Sequence, residues 1–223
     1  MNGYEFLKYL TVNITANSLS KKSVTSTATG FYVRLKNTTL LVTAKHFAVS
    51  TGSAIQIPVH YKENNTVVTI PVTVPVEWIA SEEYDIAFCD INPIAQKFKA
   101  IVGKEMYYSA ISEKDILTRA ELCKIPILSE VLTLGYPSAH YSTHHYFPLF
   151  KLGKISSSPS DLVEDGEGYL DLYSETGCSG SPIVIFNSMT NSEIKLMGIL
   201  VKGTSNKTGT TAYIPANKLL EMI

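Results

Sequence analysis

Short β-type runs broken by turn residues fill this chain, and that texture constrains its fold more than any other feature. Gly30–Leu35 (GFYVRL) and Leu40–Ala44 (LLVTA) flank the polar turn Lys36–Asn37–Thr38, a spacing that suits a hairpin. From Val68 to Val76 the apolar residues Val68, Ile70, Val72, Val74 and Val76 fall on alternate positions, the period of a strand with one buried face. Pro71 and Pro75 have no amide hydrogen for a ladder, so this strand is expected at an edge or with bulges. Further strands are expected at Ile86–Ile91, Glu121–Ile127, Val131–Gly135, Leu149–Ser156, Gly168–Tyr173, Pro182–Phe186, Ile194–Val201 and Thr210–Ile214. Helix is expected only over Pro215–Ile223, where Pro stands near the first helical position, and more weakly over Tyr4–Leu10. Roughly a dozen short strands with almost no helix between them argue against βαβ construction and for antiparallel barrels or sandwiches. Residues Asn92–Thr118 have the least regular pattern and are expected to connect two halves.

Length and composition narrow the class. A chain of 223 residues makes one large all-β domain or two small ones sharing an interface. With 45% hydrophobic and 17% charged residues it is globular in composition. The net charge of -1 provides no global basic field, so no nucleic-acid partner is expected. No apolar run approaches the ~18–20 residues of a membrane span, and MNGYEFLKYLTVNITANS lacks the parts of a secretory signal. Three cysteines, Cys89, Cys123 and Cys178, cannot pair completely and include no C-x-x-C. A soluble, cytoplasmic protein is therefore expected, and the N-x-T sequons at Asn13, Asn37 and Asn206 read as turn and strand-edge chemistry.

Three segments carry chemistry. Glu175–Pro182 reads ETGCSGSP, a serine between glycines entering the strand PIVIF. Gly177 and Gly180 allow tight turns, which can leave the N–H groups of Gly177 and Ser179 aimed at one point, as an oxyanion hole requires. Taken alone, the segment also has the form of an ordinary loop before a strand. A serine hydroxyl needs a base, and Leu40–Phe47 (LLVTAKHF) places His46 at the end of a buried strand. In isolation His46 reads better as a packed or surface imidazole. In Glu83–Ile91 (EYDIAFCDI), Asp85 opens an apolar strand, where a carboxylate can accept from a histidine Nδ1–H. Asp90, five residues on, falls on the opposite face, so Asp85 is preferred.

The order His46, Asp85, Ser179 matters more than any one segment. Combined with Gly135–Tyr136–Pro137, Gly153–Lys154–Ile155–Ser156, Met197–Gly198–Ile199 and Thr211–Ala212–Tyr213–Ile214–Pro215, it resembles the chymotrypsin/trypsin-like serine protease superfamily. The pattern is most similar to bacterial trypsin-like and HtrA-type domains, over roughly Thr29 to Met222. The resemblance implies an all-β fold of two antiparallel six-stranded β-barrels with a short C-terminal helix. Residues 1–110 would form the first barrel, carrying His46 and Asp85. Residues 111–223 would form the second, carrying Ser179 and the helix. Ser179 would be the nucleophile, His46 the base, Asp85 its orienting partner, and the N–H groups of Gly177 and Ser179 the oxyanion hole. A protein or peptide substrate would pair as an added strand near Ile199, Leu200 and Val201. No cofactor or metal is implied.

Two positions depart from the family pattern. Where many members have an Asp that pairs with a new N-terminus after zymogen cleavage, this chain has Cys178. The activation switch is thus absent, and a protease built this way is competent as made or controlled by a partner, a fused domain or loop ordering. Cys178 as nucleophile is disfavoured by register, which puts Ser179 in that slot. Tyr173, six residues before the nucleophile, stands where trypsin-like relatives have the base of the specificity pocket, implying preference for small or apolar side chains. His140, His144 and His145 lack an accompanying thiol or carboxylate and read as a solvated loop rather than a metal site. The competing function is a catalytically silent, protease-like module that binds extended peptides.

Overall fold

The computed structural model describes residues 3–19, 25–142, 145–160, 166–186, 194–203 and 209–223. His144 and the sequon at Asn206 lie outside them. A one-turn helix α1 (Gly3–Lys8) precedes strands β1 (Thr11–Asn17), β2 (Thr25–Arg34) and β3 (Thr39–Thr43). Helix α2 (Lys45–Ser50) follows, then β4 (Ala54–Glu63), β5 (Thr66–Pro75), β6 (Ile79–Ala80) and β7 (Ala87–Asp90). Helix α3 (Asn92–Val102), β8 (Ile111–Ser112) and helix α4 (Arg119–Leu122) lead into the second half. That half holds β9 (Glu130–Gly135), β10 (Leu149–Ile155), β11 (Gly168–Asp171), β12 (Pro182–Phe186), β13 (Ile194–Gly203), β14 (Thr210–Pro215) and helix α5 (Asn217–Leu220).

Strands β9 to β14 close into a six-stranded antiparallel barrel in the order β10-β11-β14-β13-β12-β9. The first half differs in detail from a six-stranded barrel. It is an eight-stranded sheet in the order β5-β4-β1-β2-β3-β7-β6, with β8 parallel to β2 at Val33 and Arg34. Strand β5 is the terminal strand of that order, as its prolines require, and Pro71 faces Pro58 of β4. The β4–β5 turn is Asn64–Asn65, both at positive φ (48° and 65°), the two-residue geometry that matches strand twist.

Alternation along the strands sorts side chains into three apolar layers. On β2 and β3, Tyr32 and Leu41 point into the first sheet's own core with Ile14, Ile55 and Phe98. Phe31, Val33, Leu40 and Val42 point the other way, onto Leu134, Val184, Leu196 and Ile199 of the barrel. Met197 and Leu200 of β13 then fill the barrel interior with Leu170, Ile183 and Tyr213. Strands buried on both faces read as unbroken apolar runs, which explains LLVT. Each fully buried Leu, Ile or Phe contributes about 1.5–3 kcal/mol, so the shared middle layer joins the halves into one unit.

Helices occupy several stretches with other sequence expectations. Residues 121–127, expected as a strand, begin inside α4. The Thr118 hydroxyl accepts the Glu121 N–H, and the Glu121 carboxylate accepts the Thr118 N–H at 2.8 Å. This reciprocal cap starts a helix, and the apolar content of Leu122, Ile125 and Ile127 does not make a strand there. Helix α3 takes up part of the irregular connection, with Pro93 in its first turn and Gly103 at φ 73° ending it. Among the described residues no helix is long and apolar enough to cross a membrane.

Candidate active site

His46 sits on the first turn of α2, immediately after β3, rather than on the strand itself. The residue capping α2 is Ala44, which has no side chain to satisfy the helix's first N–H groups. Asp85 supplies that acceptor. Its Oδ1 takes the His46 backbone N–H at 2.8 Å, and its Oδ2 lies 2.7 Å from His46 Nδ1. One carboxylate thus fixes both the backbone and the ring of His46. The ring is about half exposed, so its outer edge remains free to face a reactant.

Asp85 is held by a turn that begins at Ser81. The Ser81 hydroxyl accepts the N–H groups of Glu83 (3.2 Å) and Tyr84 (3.0 Å), and the Ser81 N–H donates to Ile86 O at 2.9 Å. Fully buried Ile86 then anchors the start of β7. Burial by itself would push the Asp85 carboxyl up. The hydrogen bonds from the His46 ring and N–H, with the charges of His46 and Lys45, outweigh burial and hold it below its ordinary value. Asp90 lies elsewhere, accepting from the Thr38 hydroxyl and the Asn92 N–H.

Ser179 enters from the barrel, on the loop between β11 and β12. Gly177 has φ 96°, and a Cβ there would collide with the Tyr136 carbonyl oxygen. Gly180 has φ 86°, and a Cβ there would collide with Thr29 O. The N–H groups of Cys178, Gly180 and Ser181 are taken by Glu175 O, Leu200 O and Cys178 O. Those of Gly177 and Ser179 have no hydrogen-bond acceptor among the described residues. The Ser179 hydroxyl donates to Val201 O at a long 3.3 Å rather than to His46.

His46, Asp85, Gly177 and Ser179 line one cleft of about 1160 Å³, bounded by Thr25–Thr27 of β2 on one side and Val201–Lys202 of β13 on the other. Ile199, Leu200 and Val201, the residues expected beside an added strand, differ in how much backbone they leave unpaired. Ile199 is already paired with both Pro182 and Ile214, and Leu200 exchanges bonds with Gly180 and Ser181. Both side chains are buried in the layers described above. The register shift between Leu200 and Lys202 leaves Val201 as the first residue whose backbone faces the cleft. A second open edge lies on β2, because β3 pairs with it only from Phe31 onward.

Tyr173 is 62% exposed at the cleft rim, with the Lys151 ammonium 5.8 Å from its ring centre and donating to its carbonyl oxygen. It therefore does not form a buried pocket floor. Behind it in sequence, Leu172 O accepts from the Thr211 hydroxyl of β14, which lies 3.0 Å from the Ser174 hydroxyl. Cys178 is buried among Leu172, Ile183 and Leu200 in the barrel core, and burial pushes its thiol up, against thiolate formation. His140 Nδ1 lies 3.0 Å from Pro137 O, and His145 stacks on Phe147.

No known protein-family profile matches the chain, and no curated protein sequence matches it. Among solved structures it is similar to the serine endoprotease from Yersinia pestis, with a TM-score of 0.58 and 16% identity. The match takes in 97% of this chain and 62% of that one, so the chain spans less than two thirds of that protein's length. A closed six-stranded barrel packed on a second antiparallel sheet, a short C-terminal helix and this likeness give the chain a chymotrypsin-type fold.

Proposed function

We propose that the protein is a serine endopeptidase that cleaves a protein or peptide substrate through an acyl-enzyme intermediate. The observation that carries this reading is the two-point hold of Asp85 on His46 across a cleft from Ser179. A carboxylate that only capped α2 would need one oxygen. The second oxygen sits on Nδ1, the position that directs the proton to Nδ1 and leaves Nε2 as the base.

In the proposed reaction a substrate strand enters between the open edges at Thr25–Thr27 and Val201–Lys202. Rotation of the Ser179 side chain away from Val201 O brings its hydroxyl towards His46. Nε2 of His46 takes the hydroxyl proton as Oγ adds to the scissile carbonyl, and later returns it to the leaving amine. Asp85 stabilises the imidazolium formed in between. The developing oxyanion is received by the N–H groups of Gly177 and Ser179, whose orientation is set before substrate arrives. Hydrolysis of the acyl-enzyme repeats the sequence with water.

A silent peptide-binding module is the second reading, and the Ser179–Val201 contact favours it, since the hydroxyl is engaged away from the base. A fluorophosphonate probe separates the two. Labelling of the wild-type chain that Ser179→Ala abolishes, while Cys178→Ala retains it, supports the peptidase. Complete absence of labelling in the wild-type chain overturns it in favour of the binder.

A further inference from the structure

The loop that presents Gly177 and Ser179 contains three successive peptide planes, and each has its oxygen held. In a trans peptide the N–H points opposite to the C=O, so holding the oxygen aims the hydrogen. Thr176 O accepts the Ser138 N–H at 2.6 Å, which turns the Gly177 N–H to the other side. Cys178 O accepts the Ser181 N–H at 3.0 Å, which does the same for Ser179. The plane between them is held by a side chain: Gly177 O accepts the Thr29 hydroxyl at 2.7 Å.

Thr29 is fully buried and lies on β2, in the opposite half of the molecule. Its hydroxyl uses its one hydrogen on Gly177 O and accepts the Tyr136 N–H at 3.1 Å. Its backbone N–H donates to Ser179 O at 2.9 Å, and its carbonyl accepts the Thr43 hydroxyl at 2.8 Å. Every polar group of this residue is therefore engaged, and two of the four bonds go to the nucleophile loop. Cys178, in the middle of that loop, offers only an apolar thiol packed into the barrel. The donors to the three oxygens are two backbone N–H groups and one hydroxyl, none of them charged.

We infer that Thr29 is the positioning residue of the oxyanion loop, its hydroxyl locking the Gly177–Cys178 peptide so that the Gly177 and Ser179 N–H groups stay aimed into the cleft. The loop takes its competent shape when the two halves pack, with no later switch. The Cys178 N–H on Glu175 O at 3.0 Å is the other anchor of the middle plane, so loss of the hydroxyl leaves that plane pinned at one end only, with slack that shifts the neighbouring donors out of line. The inference rests on the proposed peptidase reading and names how that site is set.

The test compares Thr29→Val, which keeps the shape and removes the hydroxyl, with Thr29→Ser, which restores it. Second-order labelling rates with a fluorophosphonate are measured on the folded fraction, alongside thermal melting. Thr29→Val is expected to label about 10²-fold more slowly with the probe's apparent affinity little changed, and Thr29→Ser to recover most of the rate. A residue that merely stabilised the fold would lower the melting temperature while leaving the rate of the folded fraction intact. That result, with the wild type labelling normally, overturns the positioning role and spares the peptidase. A wild-type chain that never labels overturns both. Should Thr29→Val not accumulate as folded protein, Thr29→Ala is read by the same criterion.

Discussion

The two halves of the molecule meet the same cleft with different parts of the polypeptide. The first sheet contributes side chains: an imidazole on the opening turn of α2 and a carboxylate just before β7, joined by two short contacts. The barrel contributes mainly backbone, a loop whose glycines approach Tyr136 and Thr29 so closely that a single Cβ has no room. Acid–base chemistry needs a proton at a chosen atom, and a side chain can be swung into place from a modest turn. Stabilising an oxyanion needs donors aimed together in advance, and a fixed main chain can provide them. The first half should therefore be sensitive to changes of chemistry at constant shape, and the second to changes of shape at constant chemistry.

Asp85→Asn puts the first statement under the largest strain. The amide oxygen can still accept the His46 N–H and cap α2, while the NH₂ now faces Nδ1 and enforces the wrong tautomer. Labelling by a fluorophosphonate is expected to fall by about 10⁴-fold, with stability changed by no more than about 1 kcal/mol. A variant that labels nearly as fast as the wild type would remove the distinction between the halves.

Gly180→Ala tests the second statement. The added methyl meets Thr29 O, the Thr43 hydroxyl and the Ala44 N–H, at a φ that L-residues rarely adopt. A loss of roughly 3 kcal/mol in urea-monitored unfolding is expected, although no reactive atom has been altered. Unchanged stability would mean that the loop yields, and that its donors are not rigidly aimed.

A smaller effect is expected where the halves touch away from the cleft. His60 of β4 is buried, bonds to the Thr69 hydroxyl at 2.7 Å, and packs edge-on to Tyr9 and against Phe147 from the second half. Burial, reinforced by nearby His145, lowers its pKa from 6.5 to about 4. The folded state thus favours the neutral ring, and stability is complete above the unfolded value and declines as pH falls from 6.5 towards 4. Between pH 7.5 and pH 5 this amounts to roughly 2 kcal/mol. Urea titrations at the two pH values check it, and His60→Phe should flatten the difference while keeping the aromatic contacts.

How much of this was legible beforehand follows the range of the forces involved. Pro182–Phe186 was readable to the residue, because an apolar run behind Gly and Pro is a local signal. Strands β1 and β4 were not recognised. In β1 Val12, Ile14 and Ala16 alternate with Asn13 and Thr15, a strand signal only three apolar residues long, and Asn13 on the polar face is nonetheless buried, accepting from Thr27. In β4, Pro58 argues against a strand until β5 is seen to place Pro71 opposite it. The cap at Thr118–Glu121 is present in the sequence as T-x-x-E, a local signal for the start of α4. His46, Asp85 and Ser179, which the fold brings to one cleft, stand out in the sequence through their order rather than through any one segment. Thr29 does not, because its hydroxyl meets partners 107 and 148 residues away, and a buried threonine in a strand looks like any other. The limit to the added-strand edge was also hidden, since it depends on which carbonyls β12 and β14 have already taken.

The prolines of β5 have a consequence for life at high concentration. A ten-residue terminal strand is an invitation for a second molecule to extend the sheet, and repeated extension is how fibres begin. Pro71 and Pro75 are both exposed on that strand. An incoming chain would find a pyrrolidine ring at two of the places where it needs an amide hydrogen. The outer edge of the β4–β5 hairpin is therefore a blunt rim rather than a template for polymerisation.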